Sequence, residues 1–275
     1  MAIDTLTATI RPISIELPGR VRLEYVEQGD PMGIPVVLLH GVTDSWHSFE
    51  EVLPLLPASL HAFAVTQRGH GDSDRPETGY RLADFSADLA AFMDAVGLEA
   101  AVIVGHSMGA FVAQRFAIEH PERTLGILLE ATFHSFRANP AVVEFCGLVA
   151  ELTDPIDPAF AREFQQSTLA RPMSPALFKT AMGESLKVPA RIWRAAFAGF
   201  LADDVAGDLA RIEAPTLILW GDQDAFSPHG DQETLATAIP DARLVVYAGA
   251  GHAFHWEDPK QYAADLTTFT QYVTR

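Results

Sequence analysis

The sequence predicts an α/β fold in which a mostly parallel sheet is covered by helices on both faces and interrupted by an inserted helical lobe. Three observations carry this. Short apolar runs alternate with amphipathic helical stretches through most of the 275 residues, the pattern of strands buried on both faces. Between about His134 and Val205 the alternation stops, and Pro140, Pro155, Pro158, Pro172, Pro175 and Pro189 separate short helical pieces without strands. A hydrophobic content of 48 % over 275 residues suffices for one sizeable core or for a core plus a smaller lobe. Residues 1–133 and 206–275 are therefore expected to form the core and 134–205 the lobe.

The elements follow in order. Ile13 to Leu17 and Arg20 to Glu27 alternate like an antiparallel opening pair. Val36 to Leu39 reads as a buried strand ending in a His40-Gly41 turn, and Ala62 to Thr66 as another, ending in the loop Arg68-Gly69-His70-Gly71. Leu82, Phe85, Leu89, Phe92 and Val96 form one stripe of a helix, which Gly97 stops. Ala101 to Val104 is an apolar strand, followed by a helix from Met108 to His120 that ends before Pro121. Leu125 to Leu129, Thr216 to Trp220 and Leu244 to Tyr247 are strands again. Asp258 caps the last helix, with Pro259 at its first position and Tyr262, Leu266, Phe269 and Val273 as its buried stripe.

Charge and composition exclude several classes. The formal charge of −17 repels phosphate backbones, which argues against nucleic acid and anionic membranes as partners. The lobe carries 7 basic against 8 acidic residues, so the acidity sits on the core, with 12 against 28. The lobe's 8 of 26 aromatic residues barely exceed its share of the length and single out no role. One cysteine, Cys146, permits no internal disulfide and reads as a small apolar lobe residue. No apolar segment reaches 18 residues, and Met1 to Pro12 lacks the basic and apolar regions of a secretory signal. A cytoplasmic protein is expected.

Gly105-His106-Ser107-Met108-Gly109 lies between an apolar strand and a helix, the setting of a nucleophile elbow. Chance alone supplies about 0.1 occurrence of the five-residue pattern in a chain of this length; its flanks make chance a much poorer account. A serine hydroxyl is a weak nucleophile and needs a base oriented by a third group. Gly251-His252 follows the last strand and offers the base; Gly221-Asp222-Gln223-Asp224 follows the preceding strand and offers the acid. The order Ser107, Asp224, His252 is that of one known triad arrangement. Two oxyanion donors are expected, the N–H groups of Met108 and Val42.

Taken together, His40-Gly41, Arg68-Gly69-His70-Gly71-Asp72-Ser73, the elbow, Gly221-Asp222-Gln223-Asp224 and Gly251-His252 resemble the α/β-hydrolase superfamily over nearly the whole chain. The resemblance implies an α/β-hydrolase fold, Ser107 as nucleophile, His252 as base, Asp224 as acid, Val42 and Met108 as the oxyanion hole, and 134–205 as the family's cap. One departure is visible: many relatives carry Asp two positions before the arginine of the glycine-rich loop, where this chain has Thr66. Aspartate at the elbow marks the superfamily's dehalogenases and epoxide hydrolases, whereas Ser107 favours acyl transfer.

Rival residues stand beside each role. Glu130 ends the strand Leu125 to Leu129 and competes with Asp224 as the acid; Asp222 suits bracing the turn. His252 and His255 are three apart, but no further ligand stands at a recognised spacing, so no metal and no cofactor is expected. His40, His106, Trp46 and Phe133 are candidates for the substrate pocket, although the two histidines also fit packed, hydrogen-bonded neighbours; His70 and His229 read as surface loop residues. The expected function is hydrolysis of a neutral carboxylic ester or lactone, a small-molecule substrate, through an acyl-enzyme. A C–C bond hydrolase using Arg191 or Arg194 to hold a carboxylate, an enol-lactonase, a perhydrolase-like enzyme and a slow-turnover ligand receptor are the alternatives.

Overall fold

A computed structural model describes residues 10–275; the reading of Met1 to Pro12 falls, for residues 1–9, outside the described residues. Eight strands form one sheet: β1 (Ile13–Glu16), β2 (Arg22–Gln28), β3 (Ile34–Leu39), β4 (Leu60–Thr66), β5 (Ala101–His106), β6 (Thr124–Glu130), β7 (Thr216–Gly221) and β8 (Ala242–Tyr247). Their spatial order is β1-β2-β4-β3-β5-β6-β7-β8. β1 and β2 pair antiparallel, as does β2 with β4, and every later pairing is parallel.

Alternate residues of the central strands feed two cores, as a period-2 strand requires. Val37, Leu39, Ile103, Ile127, Leu129 and Ile218 face one side, where α1 (Leu82–Ala95), α2 (Met108–Glu119) and α7 (His229–Ala238) pack. Val36, Leu38, Val102, Val104, Leu128 and Leu219 face the other, against α8 (Phe254–Glu257) and α9 (Pro259–Val273). The capping expected of α9 is present: the Asp258 side chain accepts the Gln261 N–H.

Between β6 and β7 the chain forms α3 (Pro140–Ala150), α4 (Pro158–Ser167), α5 (Pro175–Lys187) and α6 (Ala190–Ala202). Four of the six prolines of this stretch, Pro140, Pro158, Pro175 and Pro189, mark helix starts. Asn139, Asp157 and Ser174 each cap the next helix with a side-chain oxygen, and proline follows in its first turn. Among the described residues no helix is long and apolar enough to cross a membrane.

Parallel strands deliver their following turns to one edge of the sheet. The segments after β3, β5, β6, β7 and β8 therefore meet there, beneath the inserted helices. Beside this edge the glycine-rich loop after β4 is held by charge. The Arg68 guanidinium places Nε and Nη2 2.5 and 2.6 Å from the two Asp88 oxygens of α1, and Arg20 adds a third contact at 2.6 Å. His70, expected at the surface, is fully buried: the loop turns inward, its Nδ1 donates to the Arg68 carbonyl and its ring packs on His40. Burial holds its pKa down to about 4. His229 is exposed as expected, but it begins α7 rather than lying in a loop.

Asp88→Ala is expected to destabilise the protein by about 3–5 kcal/mol, because it leaves the buried Arg68 charge unpaired. Denaturant unfolding measures it; a loss below about 1 kcal/mol would show that the pair does not anchor the loop.

Candidate active site

Ser107 occupies the sharp turn between β5 and α2 with φ +50° and ψ −112°, a left-handed conformation unusual for a residue with a side chain. Close packing enforces it. A Cβ on Gly105 would lie 2.3 Å from the Gly109 carbonyl oxygen, and one on Gly109 would lie 2.1 Å from that of Leu39 in β3. Only bare backbone at both positions lets α2 pass so near the sheet. The Ser107 N–H donates to the Glu130 carbonyl at 3.0 Å, which ties the turn to β6. Met108 opens α2, so its N–H belongs to the first turn and has no intrahelical acceptor.

The turn after β3 brings Val42 to the same place, followed by Thr43 at φ +70°. The inserted helices hold this turn: Gln165 Nε2 donates to Asp44 Oδ1 at 3.1 Å, and the hydroxyls of Thr43 and Ser185 are 3.1 Å apart. Burial raises the Asp44 carboxyl well above the usual range, with the Gln165 bond opposing the shift.

Asp224 follows β7. Its Oδ1 accepts the N–H groups of Phe226 and Ser227 at 2.8 and 3.1 Å, and its Oδ2 lies 2.8 Å from His252 Nδ1. Three donors thus fix a side chain with no solvent exposure. The His252 ring gives Nδ1–H to Asp224, leaving Nε2 with the lone pair. Asp222 turns the other way and accepts the Gly249 N–H at 2.6 Å, bracing the loop that leads to His252.

Ser107 and His252 open onto one shared cleft. Val42, Met108, Phe133, Val142 and Thr168 also line it, together with Phe136, Phe145, Phe164, Phe197, Phe200 and Phe226. The lining holds seven phenylalanines and, among the described residues, no carboxylate, lysine or arginine.

Of the expected pocket residues only Phe133 lines this cleft. His40 is buried below it, its Nε2 accepting the Gln67 N–H and its Nδ1 donating to the Gly41 carbonyl. His106 points under the His252 loop and donates from Nε2 to the His252 carbonyl at 3.2 Å. Burial keeps both imidazoles well below their ordinary pKa. Trp46 stacks on His47 in the opposite core, and its N–H donates to Thr66 Oγ1. A strand-end residue can turn toward the cleft or beneath it, and hydrogen-bond demand turned His40 and His106 beneath. The six further phenylalanines were missed, five of them on inserted helices or the connections flanking them, because a helix's apolar face does not reveal its neighbour.

The rival acid Glu130 is engaged elsewhere: its Oε1 accepts from His255 Nδ1 at 2.7 Å and from the His255 N–H at 3.2 Å. Burial pushes its carboxyl up to about 7. His106, Glu130 and His255 carry ligand-type atoms within 4.8 Å of one another; His252, the other member of the expected three-residue spacing, is not part of that group. Arg191 and Arg194 are exposed and bond to backbone carbonyls of Pro76, Arg75 and Leu152, away from the cleft. Cys146 is half-buried on α3, and burial raises its thiol to about 11.

Over 269 residues the chain is 28 % identical to a non-heme chloroperoxidase of Streptomyces lividans, covering 90 % of this chain and 95 % of that protein. An esterase from Exiguobacterium antarcticum superposes with a TM-score of 0.87 at 21 % identity, covering 95 % of this chain and all of the other. An enol-lactonase from Burkholderia xenovorans superposes with a TM-score of 0.84 at 19 % identity, covering 94 % of this chain and all of the other. The family model described as alpha/beta hydrolase fold matches residues 34–259. The chain belongs to the alpha/beta hydrolase fold family.

Proposed function

We propose that the protein is a serine hydrolase that cleaves an uncharged carboxylic ester or lactone through an acyl-enzyme. One observation carries the reading: Ser107 and the Asp224-bound His252 share a single apolar cleft. In this reading the Ser107 Oγ attacks the substrate carbonyl while His252 Nε2 takes its proton, and Asp224 holds the resulting imidazolium. The N–H groups of Val42 and Met108 receive the carbonyl oxygen as charge builds on it. His252 then protonates the leaving alcohol, and water, activated by the same nitrogen, releases the acid and restores Ser107.

Substrate charge follows from the lining. Seven phenylalanines offer nothing to replace the hydration of a carboxylate, and burying an unpaired charge is costly. The net charge of −17 repels anions as well. The C–C bond reading needs a cationic anchor, and Arg191 and Arg194 lie outside the cleft. A second reading draws on the likeness to the Streptomyces lividans chloroperoxidase. Hydrogen peroxide in place of water at the acyl-enzyme would release a peracid and free Ser107, with the same residues and no change in charge balance.

The deciding experiment is turnover of a panel of esters and lactones, combined with a fluorophosphonate label located by mass spectrometry. The adduct is expected on Ser107, and Ser107→Ala is expected to lose both label and turnover; residual turnover at the wild-type level would overturn the reading. Asp224→Asn is expected to lower kcat on the order of 10⁴-fold by holding the wrong imidazole tautomer. An uncharged ester is expected to exceed its carboxylated counterpart in kcat/KM by at least about tenfold, measured side by side. A stoichiometric burst followed by negligible turnover would instead favour a ligand receptor.

A further inference from the structure

Behind His252 lies a second serine, histidine and carboxylate. Ser48, in the short helical turn Trp46–Phe49, places its Oγ 3.0 Å from His255 Nε2. On the other side of the ring, His255 Nδ1 meets Glu130 Oε1 at 2.7 Å. Ser48 is 4 % exposed, and His255 and Glu130 are fully buried. Glu130 accepts, so Nδ1 carries the proton; Nε2 is then an acceptor, and the Ser48 hydroxyl donates to it. Hydrogen bonds run one way, from Ser48 through His255 to Glu130. Burial lowers the His255 pKa, and neither Ser48 nor His255 reaches the cleft. The group has the composition of a hydrolytic triad but no opening to the cleft.

What it does hold is backbone. The His255 N–H is bound by Glu130 at 3.2 Å, and Trp256 Nε1 donates to the Ser48 carbonyl at 2.9 Å. Three residues upstream, the His252 carbonyl accepts from His106. The His106 ring fills the gap, 5.2 Å from the His252 ring and 4.6 Å from the His255 ring between centroids. His252 sits at the end of Ala248-Gly249-Ala250-Gly251, a run of small residues whose N–H groups at Gly249 and Gly251 are bonded to Asp222 and Glu257. Asp224 orients the His252 ring but does not fix the backbone behind it.

We propose that Ser48, His255 and Glu130 are positioning residues for His252, anchoring the backbone that carries it to β6 and to the turn after β3. This rests on the reading of His252 as the catalytic base. Misplacement of a catalytic group by about 1 Å costs on the order of 100-fold in rate, which gives the anchor its weight.

Three variants of the full chain test it. Ser48→Ala removes only the hydroxyl donor. His255→Asn keeps a donor for Glu130 and loses the contact with Ser48; His255→Leu removes both. On an activated acetate ester, kcat is expected to fall about fivefold in Ser48→Ala and His255→Asn, the effect of one neutral hydrogen bond, and about 100-fold in His255→Leu. KM is expected to stay within about twofold, since none of the three residues lines the cleft. In an Asp224→Asn background, where the ring is already misoriented, Ser48→Ala is expected to cost less than about twofold. A loss of full size in that background, or wild-type kcat in both Ser48→Ala and His255→Asn, would overturn the proposal. If His255→Leu fails to fold, the two milder variants decide. The His252 Nδ1–H proton resonance provides a readout independent of substrate: sharp in the wild type, broadened in Ser48→Ala and His255→Asn. If the wild type turns over no ester, the hydrolase reading fails, while an unbroadened resonance in those variants would still refute the anchor.

Discussion

Two backbone contacts around Ser107 govern the geometry of everything near it. Gly105 and Gly109 let α2 rest against the carbonyls of its own turn and of Leu39, at separations no side chain would permit. The serine pays for that approach with a left-handed backbone. In return its hydroxyl rises from the sheet edge, and the start of α2 points its free N–H groups to the same side. The Ser107 N–H bond to the Glu130 carbonyl then locks the turn to β6. Because the neighbouring strands are parallel, the turns after β3, β7 and β8 arrive at the same edge, and the cleft is bounded by all of them.

The strands were legible because both faces of the sheet are covered, which makes each central strand an unbroken apolar run. Their ends were less so. β5 extends through His106 and β6 through Glu130, polar residues whose bonds lie across the sheet edge rather than along the sequence. The elbow was legible because its constraint is local: two glycines and a serine within five residues. His252 and Asp224 could be placed by strand order alone. Asp224 and Glu130 both follow strand ends at the same sheet edge, and only the glycine turn before Asp224 favours it as the partner of His252. The structure pairs Glu130 with His255; the three-residue spacing of His252 and His255 was the available signal of a second histidine at this edge.

The cleft was the least legible part. The lobe's aromatic content is ordinary, yet its phenylalanines converge: Phe145 stacks on Phe164 with centroids 5.3 Å apart and meets Phe197 edge-on at 5.4 Å. Composition cannot report convergence, which depends on how four short helices cross. The departure at Thr66 has a simpler account. Its hydroxyl accepts the Trp46 N–H, and its carbonyl accepts the Ser73 hydroxyl, so the glycine-rich loop is bonded without an aspartate there.

The proline-started helices between β6 and β7 have a consequence for how such a protein can change. Most of the walls that a substrate would touch come from Phe136, Val142, Phe145, Phe164, Thr168, Phe197 and Phe200, on one continuous stretch of chain. Ser107, Asp224 and His252 lie outside that stretch, secured by bonds to the sheet and its turns. Under the proposed function, selectivity and reactivity are thus written on separate lengths of the polypeptide. A new preference can be acquired by editing the first while the second is copied unchanged.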